Sequence, residues 1–288
     1  MLFLLTFLPT VTNIGLFIRR RCCIEAFEIL DCAPFWKEHF LEFLFPVHCS
    51  NVDFSTANFI KAVNIPDRLF KYRRFDEDGR ALQCLEKDQL FCVKAALLND
   101  PYECTVHFAE DTFTELIEED LEGSYCDHNA QHLYICSFSE LGDSSLMWSH
   151  YAEDHKGFCI EYNFAECPHM LCWQFLYPVL YQEEMADLSD YHRNPYDLNF
   201  LMDKLTAMIK SSQWAYEKEW RMIMPFDIGN IPAVPMPMPQ PKAVYAGCRT
   251  AEENLEKLMR ITQAKGIPLY QMVKDAHSYN FQCQPLSL

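Results

Sequence analysis

A chain of 288 residues, half of them apolar and 14% aromatic, has material for a sizeable core and excludes global disorder. Its 24 Lys and Arg against 41 Asp and Glu give a formal charge of −17, which excludes a surface that coats nucleic acid, though not a local basic pocket. With eight glycines and neither G-x-G-x-x-G nor G-x-x-x-x-G-K-[ST], the two common phosphate-cradling loops are excluded as well.

Residues 1–18 form an apolar run that ends at Arg19-Arg20-Arg21. Positive charge after the run and no small-residue cleavage site do not fit a secretory signal. Interrupted by Pro9, Thr10, Thr12 and Asn13, the run is also a poor membrane span, so membrane contact through residues 1–21 is not the favoured reading. Residues 1–64 read as an N-terminal extension, and a single domain runs from Ile65-Pro66-Asp67 to residue 288.

Leu69–Phe75 alternates, with Phe70 and Tyr72 on one face and Lys71 and Arg73 on the other. Such cations suit an anionic ligand, although a protected edge strand is the commoner use of them. A helix over Ala81–Asp88, a strand over Gln89–Lys94 and an Asx-Pro turn at Asn99-Asp100-Pro101-Tyr102 follow. Residues 111–125 read as an acidic helix. Leu133–Ser139 is a strand that turns Ser137 and Ser139 the same way, where hydroxyls can meet a ligand or brace a carboxylate. Ser144 caps a helix from Ser145 to Asp154 that places Trp148 and Tyr151 on one face, Tyr151 with a polar tip for a pocket. Phe158–Tyr162 and residues 175–182 are strand-like. Fourteen Cys at irregular spacing without C-x-x-C fit reduced thiols and a cytoplasmic location; Cys126/His128/His132 and Cys167/His169/Cys172 are too loose for a zinc site.

Leu198–Ile209 is an amphipathic helix that delivers the chain to Trp214–Arg221. Read as a strand, this stretch puts Trp214, Tyr216, Lys218 and Trp220 on one face and Glu217, Glu219 and Arg221 on the other, either a site wall or a solvated edge. Five prolines over Ile231–Pro241 read as an extended loop within the domain. Ala243–Ala246 is a strand, Thr250-Ala251-Glu252-Glu253 a capping box opening a helix to about Lys265, and Pro268–Val273 a strand.

The stretches LFKYR (69–73), NDPYE (99–103), MWSHYAEDHKGFCIEY (147–162), WAYEKEWR (214–221) and GCR (247–249) resemble the bacterial family known as domain of unknown function 2971, over about three quarters of the chain. The order basic strand, Ser-x-Ser, Glu-x-Glu is also similar to that of mono-ADP-ribosyltransferases. That resemblance implies an α+β fold with a split, mostly antiparallel β-sheet and flanking helices. It implies NAD as substrate, met by Lys71 or Arg73, with Ser137 and Ser139 shaping the nicotinamide pocket and Tyr151 stacking on the ring. Glu219 would be the catalytic carboxylate and Glu217 its partner. The activity implied is ADP-ribosyl transfer to an unidentified acceptor, or NAD hydrolysis, in a toxin or antiphage effector. Lys71 stands where that pattern has Arg or His, and Phe138 replaces the Thr of Ser-Thr-Ser. These departures suit the alternative, a non-catalytic nucleotide-sensing or protein-interaction domain. A metal-dependent hydrolase using Glu217, Glu219, Asp100 and His150 lacks any ligand motif.

Overall fold

The computed structural model describes residues 35–44, 53–110, 130–164, 174–189, 199–225 and 231–286. The apolar N-terminal run, the acidic helix expected at 111–125 and the Cys167–Cys172 cluster lie outside them. Two compact units divide the chain, Met1–Asn64 and Ile65–Leu288. In the first, α1 (Trp36–Leu44) is joined to α2 (Phe54–Val63) by a bond from the Asp53 amide to the Phe43 carbonyl, 2.9 Å. Asp53 then caps α2, its Oδ1 accepting from the Thr56 amide at 3.0 Å. No helix among the described residues is long and apolar enough to cross a membrane.

The second unit is mixed α/β with a mostly antiparallel sheet. In chain order it has β1 (Leu69–Arg73), α3 (Arg80–Glu86), β2 (Gln89–Lys94), β3 (Leu133–Ser139), α4 (Ser145–Tyr151), β4 (Phe158–Tyr162), β5 (Leu176–Pro178) and β6 (Leu180–Gln182). Then come α5 (Asn199–Met208), β7 (Ile209–Ser211), β8 (Glu219–Pro225), β9 (Ala233–Pro237), β10 (Ala243–Ala246), α6 (Glu252–Lys265), β11 (Leu269–Lys274) and β12 (Phe281–Pro285). The main sheet runs β12-β11-β10-β4-β1-β3-β2-β9, with β8 beside β3 and β5 beside β8; only β10 and β11 are parallel in it, joined through α6. A separate parallel pair joins β6 to β7.

Two readings of the sequence change here. Ala233–Pro237, within the stretch expected as a loop, is an edge strand: it pairs antiparallel with β2 from Gln89↔Pro237 to Val93↔Ala233. Pro235 and Pro237 are two apart, so both lack their N–H on the outward side, where no ladder bond is lost. The capping box before α6 does not form. Ala251 is the cap residue, and the Thr250 hydroxyl donates instead to the Gly157 carbonyl at 3.0 Å.

β3 is the hinge of the sheet. One edge pairs with β8 along its whole length. The other pairs with β2 at Tyr134 and Ile135, and with β1 only at Phe70↔Ser139. The strands therefore fork at Cys136–Phe138. Lys71 fills the fork, its ammonium donating to the Ser137 carbonyl at 2.8 Å. On the face shared by Phe70 and Tyr72, α4 packs Trp148 edge-on against Tyr72, ring centroids 5.3 Å apart. The Trp148 indole donates to the Gly142 carbonyl at 3.0 Å, so this core aromatic is fully satisfied.

Candidate functional site

The stretch expected as one strand from Trp214 is two elements. Ser212–Glu217 is a 3₁₀-helix, and only from Glu219 does the chain run as a strand. Side-chain bonds outweigh the two-residue alternation. Ser211 caps the turn, its hydroxyl accepting from the Gln213 amide, and the Lys210 ammonium sits 4.7 Å from the centre of the Trp214 ring. Lys218 closes the turn in the left-handed region, φ 43° and ψ 58°. Ser139 then bolts the turn to β3. Its hydroxyl donates to the Glu217 carbonyl at 2.6 Å and accepts from the Leu141 amide at 3.0 Å.

The two acids still converge, both almost fully buried. Lys210 bridges them, 2.7 Å from Glu217 Oε2 and 3.1 Å from Glu219 Oε2. The other oxygen of Glu217 accepts from the Tyr151 hydroxyl. Glu219 also accepts from Arg221, Nε to Oε1 at 2.8 Å and Nη2 to Oε2 at 3.0 Å. The same guanidinium grips Glu103 with two bonds of 2.6 Å and the Ala207 carbonyl at 2.8 Å. Three buried carboxylates thus face two buried cations, one formal negative charge in excess, which is costly in a dry interior.

The cost falls unevenly. Burial alone would raise the Glu219 pKa, but Arg221, then Lys210, override it and hold the carboxyl at about 2. A bond from the Ser137 hydroxyl acts in the same sense. For Glu217 burial wins: its pKa is raised despite Lys210 and Tyr151, with Glu219 adding repulsion. Burial, then Glu217, pushes the Tyr151 hydroxyl up. Burial would lower Lys210, but the carboxylates, Glu219 first, keep it charged. The excess charge therefore rests on Glu217, the acid that most readily takes a proton.

Above these groups lies a cavity of about 160 Å³. Phe70, Tyr72, Phe138, Met147 and Tyr151 supply its apolar wall; Lys71, Ser137, Ser139, Lys210, Glu217 and Glu219 line the polar side. Of the residues singled out from the sequence, Lys71, Ser137, Ser139, Tyr151, Glu217 and Glu219 meet here, while Arg73 does not line the cavity. Register explains the exception. Phe70 pairs with Ser139, and Ser137 and Ser139 pair with Arg221 and Glu219, so Phe70 and Tyr72 share the acidic face and Lys71 and Arg73 point to the other. Lys71 reaches the cavity because the sheet is open beside it. Leu98, Asn99 and Glu103 bring to the cavity the turn that follows β2, in which the Tyr102 amide donates to Asp100 Oδ1 at 3.0 Å. Glu103 and Lys210 went unread in the sequence. Glu103 lies within the quoted NDPYE stretch, but its partner Arg221 is 118 residues away. Lys210 is a single cation after an apolar helix, with no pattern to mark it.

Among the described residues, no three His, Cys, Asp or Glu side chains stand together as metal ligands. No curated protein and no solved structure matches the chain. Residues 147–222, the segment from α4 through the acidic pair into β8, match the family described as "Protein of unknown function (DUF2971)".

Proposed function

We propose that the protein cleaves the nicotinamide–ribose bond of NAD, as an NAD glycohydrolase or ADP-ribosyltransferase, on a fold like that of the ADP-ribosyltransferases. The observation that supports this reading most is convergence: a first-strand cation, a serine strand, a tyrosine and a pair of glutamates, from separate elements of the chain, line one cavity about the size of a single six-membered ring. In this reading the aromatic wall takes the nicotinamide and the ribose lies across the mouth. The carbon–nitrogen bond breaks with its electron pair leaving on neutral nicotinamide, and positive charge builds on the sugar. Glu219, held ionised, stabilises that charge. Glu217 takes the proton of the attacking water or acceptor, for which its raised pKa suits it.

A second reading has its own observation. Both oxygens of Glu219 and the hydroxyl of Ser139 are already bonded within the protein. Such a cluster also suits a rigid, non-catalytic nucleotide sensor. Incubation with NAD and measurement of released nicotinamide separates the two. Turnover that falls at least about 100-fold in Glu217→Gln supports catalysis. Thermal stabilisation by NAD without any nicotinamide supports the sensor, and neither effect removes NAD from the account.

A further inference from the structure

A second cleft, about 730 Å³, lies between the loop after β10 and the hairpin joining β11 to β12. Arg249, Lys274, His155 and His277 line it, with Phe281 at one side. In a chain of charge −17, cations usually find acids: Arg68 pairs with Glu161, Lys257 with Glu253 and Lys265 with Asp88. Here they do not. Lys274 makes no hydrogen bond or ion pair with any described residue, and the Arg249 guanidinium reaches only the Asp154 carbonyl, at 3.3 Å. The acid in the cleft wall, Asp275, is turned into its own loop, where it accepts from the His277 amide at 2.7 Å, the Ser278 amide at 2.9 Å and the Gln282 side chain.

His155 is set into this wall at a conformational cost. Glu153, Asp154 and His155 all have positive φ, 50°, 53° and 68°, a left-handed turn that strains residues other than glycine. The turn lays the imidazole parallel to Trp148, centroids 6.5 Å apart, in a residue only 9% exposed. Its tautomer follows from the bonds around it. The Ser149 hydroxyl donates to the Ser145 carbonyl at 2.9 Å, so at 3.0 Å from His155 Nε2 it accepts that N–H. Nδ1 is left with a lone pair and no partner among the described residues.

We propose that this cleft binds a phosphoryl group, gripped by Arg249 and Lys274 with His155 Nδ1 as the third contact. The two cations match a phosphate dianion in charge, and the guanidinium offers paired N–H donors to its oxygens. Nδ1 joins them only when protonated. Burial, then Arg249, lowers the imidazole's pKa; Asp154 opposes and Lys274 adds to the lowering. An anion at contact distance favours the imidazolium, so binding takes up a proton and tightens as pH falls. From the hairpin, His277 and Asp275 also face the cleft.

The test is calorimetric titration of the full chain with inorganic phosphate at constant ionic strength, at about pH 6 and about pH 8. Saturable binding is expected, tighter at the lower pH once the ionisation of phosphate itself is allowed for, and weakened at least about tenfold in Lys274→Gln and in Arg249→Gln. His155→Gln should erase the pH dependence beyond that of phosphate itself, and His277→Gln should keep it. Lys274 has no hydrogen-bond or ion-pair partner among the described residues, so its variant is expected to fold as the parent does and carries the test even where Arg249→Gln is unstable. Adenosine monophosphate as a second probe assigns the source: tighter binding than phosphate points to a nucleotide stacked near Phe281, equal binding to free phosphate. Absence of saturable binding, an equal heat from chloride at matched ionic strength, or undiminished binding by Lys274→Gln overturns the proposal.

Discussion

Glu217 and Glu219 share one lysine, yet they answer to pH with opposite signs. The Glu219 carboxyl is held at about 2 against an unperturbed 4.5, so its contribution to stability is present above 4.5 and is lost as pH falls toward 2. Glu217 has a raised pKa: its ionised form opposes folding, and stability is regained as pH falls through its folded value. In urea melts across the acid range, Glu219→Gln should therefore flatten the decline and Glu217→Gln should remove the recovery. Near neutral pH the two variants should also differ in size. Glu219→Ala removes two bonds from Arg221 and one from Lys210, though each cation keeps Glu103 or Glu217, and is expected to cost about 1–3 kcal/mol, while Glu217→Gln relieves the excess charge and should be nearly neutral or stabilising. The acids themselves were legible as Glu-x-Glu. Their pKa split was not, because it is decided by burial and by how closely Arg221 and Lys210 approach each acid, which depends on the fold.

At the scale of elements, regular alternation made β2, β3, β4 and β10 readable at their observed boundaries. Trp214–Lys218 misled because its bulky residues also alternate, whereas its conformation is set by the Ser211 cap, the Lys210–Trp214 contact and the left-handed Lys218. β9 was hidden by its prolines, which suggest a loop unless the partner strand is known. The 3₁₀ turn offers two tests. Ser139→Ala removes a buried hydroxyl that closes two bonds, and should cost about 1–3 kcal/mol in thermal or urea unfolding. Lys218→Gly relaxes the residue at φ 43° and should stabilise by up to about 1 kcal/mol. Nicotinamide release, if the proposed activity holds, should drop more in Ser139→Ala than its stability loss explains, since that bond positions Glu217.

For the whole molecule, the fork in the sheet is what makes a site from an ordinary antiparallel framework, and it could not be foreseen from strands taken singly. Replacing Lys71 by Met leaves the Ser137 carbonyl facing an apolar chain, and should lower the unfolding free energy by about 1–3 kcal/mol. The ends of the main sheet differ as well. β9 carries Pro235 and Pro237 along its free side, whereas β12, with the sequence FQCQP, is exposed over most of its length and has no charge. Exchanging both prolines for Thr should restore donors on that side and produce concentration-dependent light scattering. With the prolines in place, strand addition at the two ends β9 and β12 has, among the described residues, one docking rim instead of two. Two copies meeting rim to rim use up both, so growth through these end strands halts at a pair and cannot propagate into a ribbon.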